Sequence, residues 1–299
     1  MAPRLPYLAQ VTTRRLYSSM SEPLVPLPDV EHLSERVIRV LAGNPGKFTL
    51  QGTNTYIVGT GAKRLLIDTG EGKDAWIQSL KSTLTKHNIT IDKALLTHWH
   101  HDHVQGVPSL LAHSPSTQVH KNDSDGNGKW RPITNGQTFS TEGATLRAFH
   151  CPGHTTDHMA FVLEEEDAMF TADNVLGQGT AVFEDLATYM KSLEKMEKQF
   201  SGRAYPGHGP VIEKGPAKIS EYIKHRKQRE QQVLDVLAEE KESGWTSMDI
   251  VKVIYKDYPE SLWEPAERGI IQILEKLKGE GKVVKNDQGR WSLSGKASL

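Results

Sequence analysis

Apolar positions along this chain recur with two periods, and the change from one to the other outlines its elements. From Val37 onward, short β-branched and aromatic runs are punctuated by turn residues. Thr55-Tyr56-Ile57-Val58 and Arg64-Leu65-Leu66-Ile67, on either side of Gly59-Thr60-Gly61, predict two strands joined as a hairpin. Over 74–87 the period lengthens: Trp76, Leu80 and Leu84 repeat at i, i+4 and i+8, which predicts an amphipathic helix with a core-facing stripe. Further strands are expected over 93–96, 145–149, 159–163 and 168–171 and at Ala204-Tyr205, with helices through Leu110-Leu111 and from Leu186 to about Phe200. Residues 122–130, polar and glycine-rich, read as a loop or flap. After Gly215 a charge-rich helix is expected over about 219–242, with Ile223, Val233, Val236 and Leu237 as its apolar stripe. Helices near 248–255 and 267–278 follow, then two short strands flanking Asn286-Asp287-Gln288-Gly289, which together predict a winged-helix-like module.

Composition sets limits on this picture. At 299 residues the chain can hold one large α/β domain and a small one. Basic and acidic residues balance at 36 and 37, so no chain-wide basic surface for nucleic acid is expected. The acids of the C-terminal region, Glu239, Glu264 and Glu267 among them, favour packing on the main domain over DNA recognition. Cys151 is the single cysteine, which excludes an intrachain disulfide framework and a multi-cysteine zinc ribbon. No apolar run approaches the roughly 20 residues of a membrane span, so no membrane partner is expected. Residues 1–20 stand apart, with Arg4, Arg14 and Arg15 and no acid before Glu22. They read as a transit peptide to the mitochondrial matrix, although Pro3 and Pro6 interrupt any helix there, and Met20 offers a second start for a cytosolic form.

Candidate chemistry concentrates in Thr97-His98-Trp99-His100-His101-Asp102-His103, between the 93–96 strand and a helix start at Val104-Gln105-Gly106. Packing does not explain imidazoles and a carboxylate clustered at a strand end, whereas both are usual ligands of zinc and similar ions. His98 and His100 project to one side of an extended, turning segment, and Asp102 and His103 swing to another. The same grammar, a buried strand followed by His or Asp, returns at His154, Asp173 and His208. Seven ligands suit two metals if one bridges. The expectation is His98, His100 and His154 on one metal, Asp102, His103 and His208 on the other, and the Asp173 carboxylate between them. Metals about 3.5–4 Å apart can share a hydroxide and neutralise charge on the attacked centre, which predicts hydrolysis without a covalent enzyme intermediate. Asp102 is in addition a candidate catalytic proton shuttle. His101 is expected to point away from the metals, and His158 to support the site through a hydrogen bond. Lys121, Lys129 and Arg131 flank the flap-like loop and could meet phosphates or an acidic carrier protein. Cys151 reads as packing.

His98-x-His100-x-Asp102-His103, preceded by Asp68 in Leu66-Ile67-Asp68-Thr69-Gly70 and followed by His154, Asp173 and His208, resembles the metallo-β-lactamase-fold superfamily. The resemblance implies an α/β fold, an αβ/βα four-layer sandwich, over about 37–215, with the winged-helix-like module over 216–299. It implies two Zn2+ per chain at one edge of the sheets, and it makes Asp68 a residue that orients a ligand histidine. It also supports the Asp173 bridge, where the main type of class B β-lactamase carries cysteine, so lactam hydrolysis is not expected.

Asn44-Pro45-Gly46, Gln51-Gly52-Thr53-Asn54-Thr55-Tyr56, Val182-Phe183-Glu184-Asp185-Leu186, Pro206-Gly207-His208-Gly209-Pro210 and the helix residues His225-Arg226 look like the β-lactamase-like protein 2 branch. In animals that branch is a mitochondrial endoribonuclease acting on single-stranded RNA, which makes RNA cleavage the leading expectation. Asn44-Pro45-Gly46-Lys47-Phe48-Thr49 and Asp173-Asn174-Val175-Leu176-Gly177 are also similar to the metallo-β-lactamase-type thioesterases of fungal polyketide pathways. Those release a polyketide from its carrier protein, so thioester hydrolysis with an acyl carrier protein as partner is the alternative. A non-catalytic binder that kept the fold is the alternative of another class, and the complete ligand set argues against it.

Overall fold

The computed structural model describes residues 23–122, 128–239, 241 and 243–295. The expected leader over 1–20 and residues 123–127 of the expected flap lie outside the described residues.

Two sheets face each other and carry helices on their outer sides. The first runs in chain order through β1 (Val30–His32), β2 (Val37–Leu41), β3 (Asn54–Val58), β4 (Lys63–Ile67), β5 (Thr90–Leu96), β6 (Gln118–Lys121) and β7 (Arg131–Pro132). Its pairs are antiparallel as far as β4 and parallel beyond it. Parallel neighbours need crossovers. Helix α1 (Asp74–His87) links β4 to β5, and the short α2 (His101–Val104) with α3 (Val107–His113) links β5 to β6. The second sheet is built from β8 (Thr138–Thr141), β9 (Ala144–His150), β10 (Met159–Leu163), β11 (Ala168–Ala172) and β12 (Ala204–Pro206), in the spatial order β12-β11-β10-β9-β8.

Side-chain alternation along the strands makes the layers. Tyr56, Val58, Leu65 and Ile67 point between the sheets, where they join Leu146, Phe161 and Phe170. Ile57 and Leu66 point the other way, into a cluster with Trp76, Leu80 and Leu84 of α1 and Leu110 of α3. Ala160, Val162 and Met169 turn outward from the second sheet onto α4 (Leu186–Met196) and α5 (Gly215–Ala238). Strands buried on both faces therefore read as unbroken apolar runs. The result is the expected αβ/βα sandwich.

Helix α1 has the predicted bounds and ends at Asn88, whose left-handed backbone (φ 51°) lets its N–H close onto the Leu84 and Thr85 carbonyls. The pattern does not predict β1, β6, β7 or β8, because strands of two to four residues give too few positions to establish a period. β1 pairs with β2, so the first sheet begins before residue 37. Beyond α5 come α6 (Ser247–Ile254), α7 (Trp263–Gly279), β13 (Val283–Lys285) and β14 (Trp291–Leu293). α6 opens with a capping box in which Thr246 and Asp249 satisfy each other's backbone N–H. One apolar cluster continues from the second sheet through α4 and α5 into this module, which is thus packed onto the sandwich.

Candidate metal centre

The residues just past β4, β5, β9, β11 and β12 meet at one edge of the sandwich. Two of these exits are backbone-strained: Asp68 (φ 58°) after β4 and Ala172 (φ 44°) at the end of β11 are left-handed without being glycine. The Ala172 turn throws the next residue, Asp173, into the site. Gly207 must stay without a side chain, since a Cβ there would lie 2.1 Å from Asp173 Oδ1 and 3.1 Å from His103 Cε1.

The structure brings all seven expected ligands together in two groups. In each, the potential ligand atoms lie within 4.8 Å of one another: His98, His100, His154 and Asp173 in one, Asp102, His103 and His208 in the other. In the first, His100 Nδ1 lies 3.0 Å from His98 Nε2 and 3.1 Å from His154 Nε2. In the second, Asp102 Oδ2 is 3.3 Å from both His103 Nε2 and His208 Nε2. Asp173 spans the two: its Oδ2 is 3.6 Å from His154 Nε2 and 3.3 Å from His208 Nε2, and its Oδ1 is 3.4 Å from His103 Nε2.

Outer hydrogen bonds fix which ring nitrogen faces inward. His103 donates Nδ1–H to Asp68 Oδ2 at 2.7 Å, and His154 donates Nδ1–H to the Val182 carbonyl at 2.8 Å. Asp68 accepts also from Thr97 N–H (2.8 Å) and from the Thr97 hydroxyl (2.9 Å), and that hydroxyl in turn faces His98 Nδ1 at 2.9 Å. His208 Nδ1 points at the Gly52 carbonyl from 3.4 Å. With their Nδ1 atoms engaged outward, these rings turn Nε2 toward the site.

Electrostatics prepare the same atoms. Burial, reinforced by neighbouring imidazoles, holds His98 well below the usual histidine range and His100 at about 4, so both are neutral at neutral pH. Burial works against the charge on Asp102 and Asp173, but surrounding imidazoles outweigh it and keep both carboxyls ionised, well below the ordinary range. Burial likewise opposes charge on His103, yet the carboxylates of Asp173, Asp68 and Asp102 raise it well above the ordinary value. His103 Nε2 and Asp173 Oδ1 are buried without a hydrogen-bond partner. Convergent lone pairs, ionised carboxylates and orphaned inward-facing atoms fit a divalent cation in each group.

The supporting residues fall out in detail. Asp68 orients His103, as its place before the motif suggests. His158 is fully buried; its Nε2 accepts from the Asp173 backbone N–H at 3.3 Å and its Nδ1 lies 3.3 Å from Cys151 Sγ, so it positions Asp173 from behind. Burial pushes the Cys151 thiol up to about 12, in keeping with a packing role. His101 is turned outward beside Glu71, 3.6 Å away. Lys121 departs from its expected role: it is buried in an ion pair with Asp157, so it does not present a charge to phosphates or a carrier protein. Lys129 lies over the Trp130 ring at 4.4 Å, and Arg131 is exposed in β7. Sequence reasoning missed Thr53, whose hydroxyl donates to Asp102 Oδ2 at 2.9 Å and whose backbone is held by Asn44. Its only signal is membership of the Asn44 to Tyr56 stretch, since a buried threonine looks like any strand residue.

A site of this chemistry on the edge of this sandwich defines a metal-dependent hydrolase. The profile of the Metallo-beta-lactamase superfamily matches residues 48–208, and the chain belongs to that superfamily. A second profile, the Beta-lactamase associated winged helix domain, matches 246–291, over α6, α7 and β13. The chain is 47% identical over 271 residues to "Lactamase-like protein nscB" of Arthroderma gypseum, covering 86% of each chain. It is 46% identical over 288 residues to "Atrochrysone carboxyl ACP thioesterase" of Aspergillus chevalieri, covering 93% of each. Among solved structures, a beta-lactamase domain protein from Burkholderia ambifaria shares the fold with a TM-score of 0.74 at 17% identity, over 90% of this chain and 95% of that one. These relatives support the thioester alternative and lend no support to the expected endoribonuclease, its RNA partner or a mitochondrial setting.

Proposed function

We propose that this chain hydrolyses the thioester joining an acyl chain to an acyl carrier protein, with a zinc ion in each of the two groups. The observation that carries this reading is the end-to-end similarity, 46% identical over 93% of both chains, to a protein named as an ACP thioesterase.

The mouth of the site supports it. Phe48, Trp99 and Val182 are large apolar side chains left 69%, 50% and 58% exposed. Each belongs to a segment that touches a ligand. Trp99 packs edge-on against His100 with ring centres 4.5 Å apart, and the Val182 carbonyl receives His154. Phe48 caps a loop closed by a Gly46–Leu50 bridge, whose far end reaches His208 through Gly52 and Asp102 through Thr53. Covering such side chains with an acyl or aromatic chain gains about 25 cal/mol per Å². A phosphodiester backbone calls for Arg and Lys contacts instead.

When bound, the ions lower the pKa of water and offset negative charge on the attacked carbonyl. The chain's own contribution is orientation and proton handling. His98, His100 and His154 would hold one ion and Asp102, His103 and His208 the other, with Asp173 between them. Water adds its oxygen to the thioester carbon, the C–S bond breaks, and the carrier's thiolate leaves and is protonated. Asp102, kept ionised and steadied by Thr53, receives the proton lost by the attacking water and returns it to the leaving thiolate. An Asp102→Asn variant that retains its metals should therefore show an altered pH–rate profile; an unchanged profile removes the proton role.

The test is thiol release from an aromatic acyl chain carried on a pantetheinylated carrier protein, with the full-length zinc-loaded chain. Release by the parent and not by a His154→Ala, His208→Ala double variant supports the reading. Equal release by both, or none by a parent shown to hold zinc, overturns it.

A further inference from the structure

We infer that Arg226 is a positioning residue for His154, acting through the loop that follows Asp173. The inference rests on the metal reading above. Residues 177–185 run from one metal group to the other. At one end Gly177 N–H donates to the His208 carbonyl (2.9 Å); at the other, Glu184 and Asp185 N–H donate to the Gly153 carbonyl (2.8 and 3.1 Å), next to His154. Between those ends lies Val182, whose carbonyl takes the His154 Nδ1 proton at 2.8 Å. The position of that carbonyl decides which way the His154 ring turns and keeps its Nε2 bare toward His100 and Asp173.

The middle of the loop is held by α5, a helix that lies between the two profile-matched domains. Tyr222 and Arg226 sit four residues apart, on one face of it. The Tyr222 hydroxyl donates to the Gly179 carbonyl at 2.9 Å. Arg226 Nη2 donates to the Ala181 carbonyl at 2.9 Å, and its guanidinium lies 4.7 Å over the Phe183 ring. Arg226 thus grips the residues on both sides of Val182. Phe183 is fixed on its other side by stacking on Tyr189 at 5.3 Å, so the clamp has a rigid floor. No part of this clamp is a ligand. The effect of Arg226 is transmitted through the Val182 carbonyl, to the group that contains His154.

The experiment is stepwise Zn2+ titration of the full chain against a chelating indicator, with the His154 Nδ1–H proton followed by NMR in the metal-free protein. The parent should take up two equivalents. Arg226→Ala should weaken one equivalent by about 10-fold, the lower end of the range for loss of a ligand's outer partner because the Val182 carbonyl itself remains, and leave the other unchanged. The Nδ1–H signal should exchange faster with water. Arg226→Lys, which keeps a donor for the Ala181 carbonyl, should recover part of the loss. Tyr222→Phe should act in the same direction and less, and guards against misfolding of the arginine variants. Lys227→Ala, which removes only an exposed pair with Glu194, should change neither equivalent. Two unchanged equivalents, or two weakened equally, overturn the clamp. A parent that binds no zinc overturns the metal reading itself, while unaltered Nδ1–H exchange in Arg226→Ala overturns the clamp on its own.

Discussion

His103 and His154 each donate an Nδ1 proton to an oxygen 2.7 or 2.8 Å away, but the two oxygens differ in kind and in support. The acceptor for His103 is the buried Asp68 carboxylate, which also ties Thr97 through two hydrogen bonds and so links the ends of β4 and β5 directly. The acceptor for His154 is a backbone carbonyl in a loop, and the helix gripping that loop lies beyond the residues matched by the superfamily profile. Thr53 adds to the contrast, since it steadies Asp102 from within the first sheet. The His103 group is therefore set by sheet geometry, and the His154 group is completed from outside. The comparison gives the C-terminal helices a reason to be packed on a sandwich that already carries every ligand.

The contrast can be erased, deepened or grazed. Asp173→Ala should erase it, because that carboxylate touches both groups. Loss of both zinc equivalents by more than about 100-fold, beyond what an outer partner costs, is expected in the same titration, with circular dichroism unchanged. Asp68→Asn should deepen it, weakening the His103 equivalent by about 10–100-fold and the other less, since Asp68 reaches His98 only through the Thr97 hydroxyl. Thr53→Val removes one hydrogen bond to a charged acceptor, worth about 1.5 kcal/mol or roughly tenfold in affinity, again on the His103 side alone.

The smallest effect lies in the module. Hydrogen bonds from Lys241, then from Thr246, outweigh a slight burial penalty and hold Asp249 at about 2, below its ordinary 3.8. A carboxyl depressed in the folded state contributes stability that is fully present above the unfolded value and is lost as pH falls through the folded one. In urea titrations the parent's advantage over Lys241→Ala should be constant above pH 4 and vanish toward pH 2. The pair is exposed, so that advantage is about 0.2–1 kcal/mol.

Most of this architecture was legible because the chemistry is dense and local. His98, His100, Asp102 and His103 share one strand exit, and the strands that deliver His154, Asp173 and His208 show either clean alternation (β9) or burial on both faces (β11 and β12). The place of Asp173 between the two groups was legible from counting candidate ligands. The short strands β1, β6, β7 and β8 were not legible, having too few residues to carry a period. Nor was the pairing of Lys121 with Asp157, which depends on a contact between segments thirty-six residues apart (121 and 157). Val182 and Arg226 act through hydrogen bonds at backbone carbonyls and Thr53 through a single hydroxyl, none of which leaves a mark on residue type. Substrate was the least legible feature. The ligand set is common to hydrolases of many substrates, and the exposed side chains that distinguish them, Phe48, Trp99 and Val182, sit on loops whose convergence on the site appears only in three dimensions.

The most direct test of the central claim is a paired incubation. Full-length chain, titrated with zinc from zero to two equivalents, is given an aromatic acyl thioester on a carrier protein in one vessel and end-labelled single-stranded RNA in the other. The account predicts thiol release that rises with zinc to the second equivalent, with the RNA intact throughout. Cleaved RNA beside an untouched thioester would contradict it.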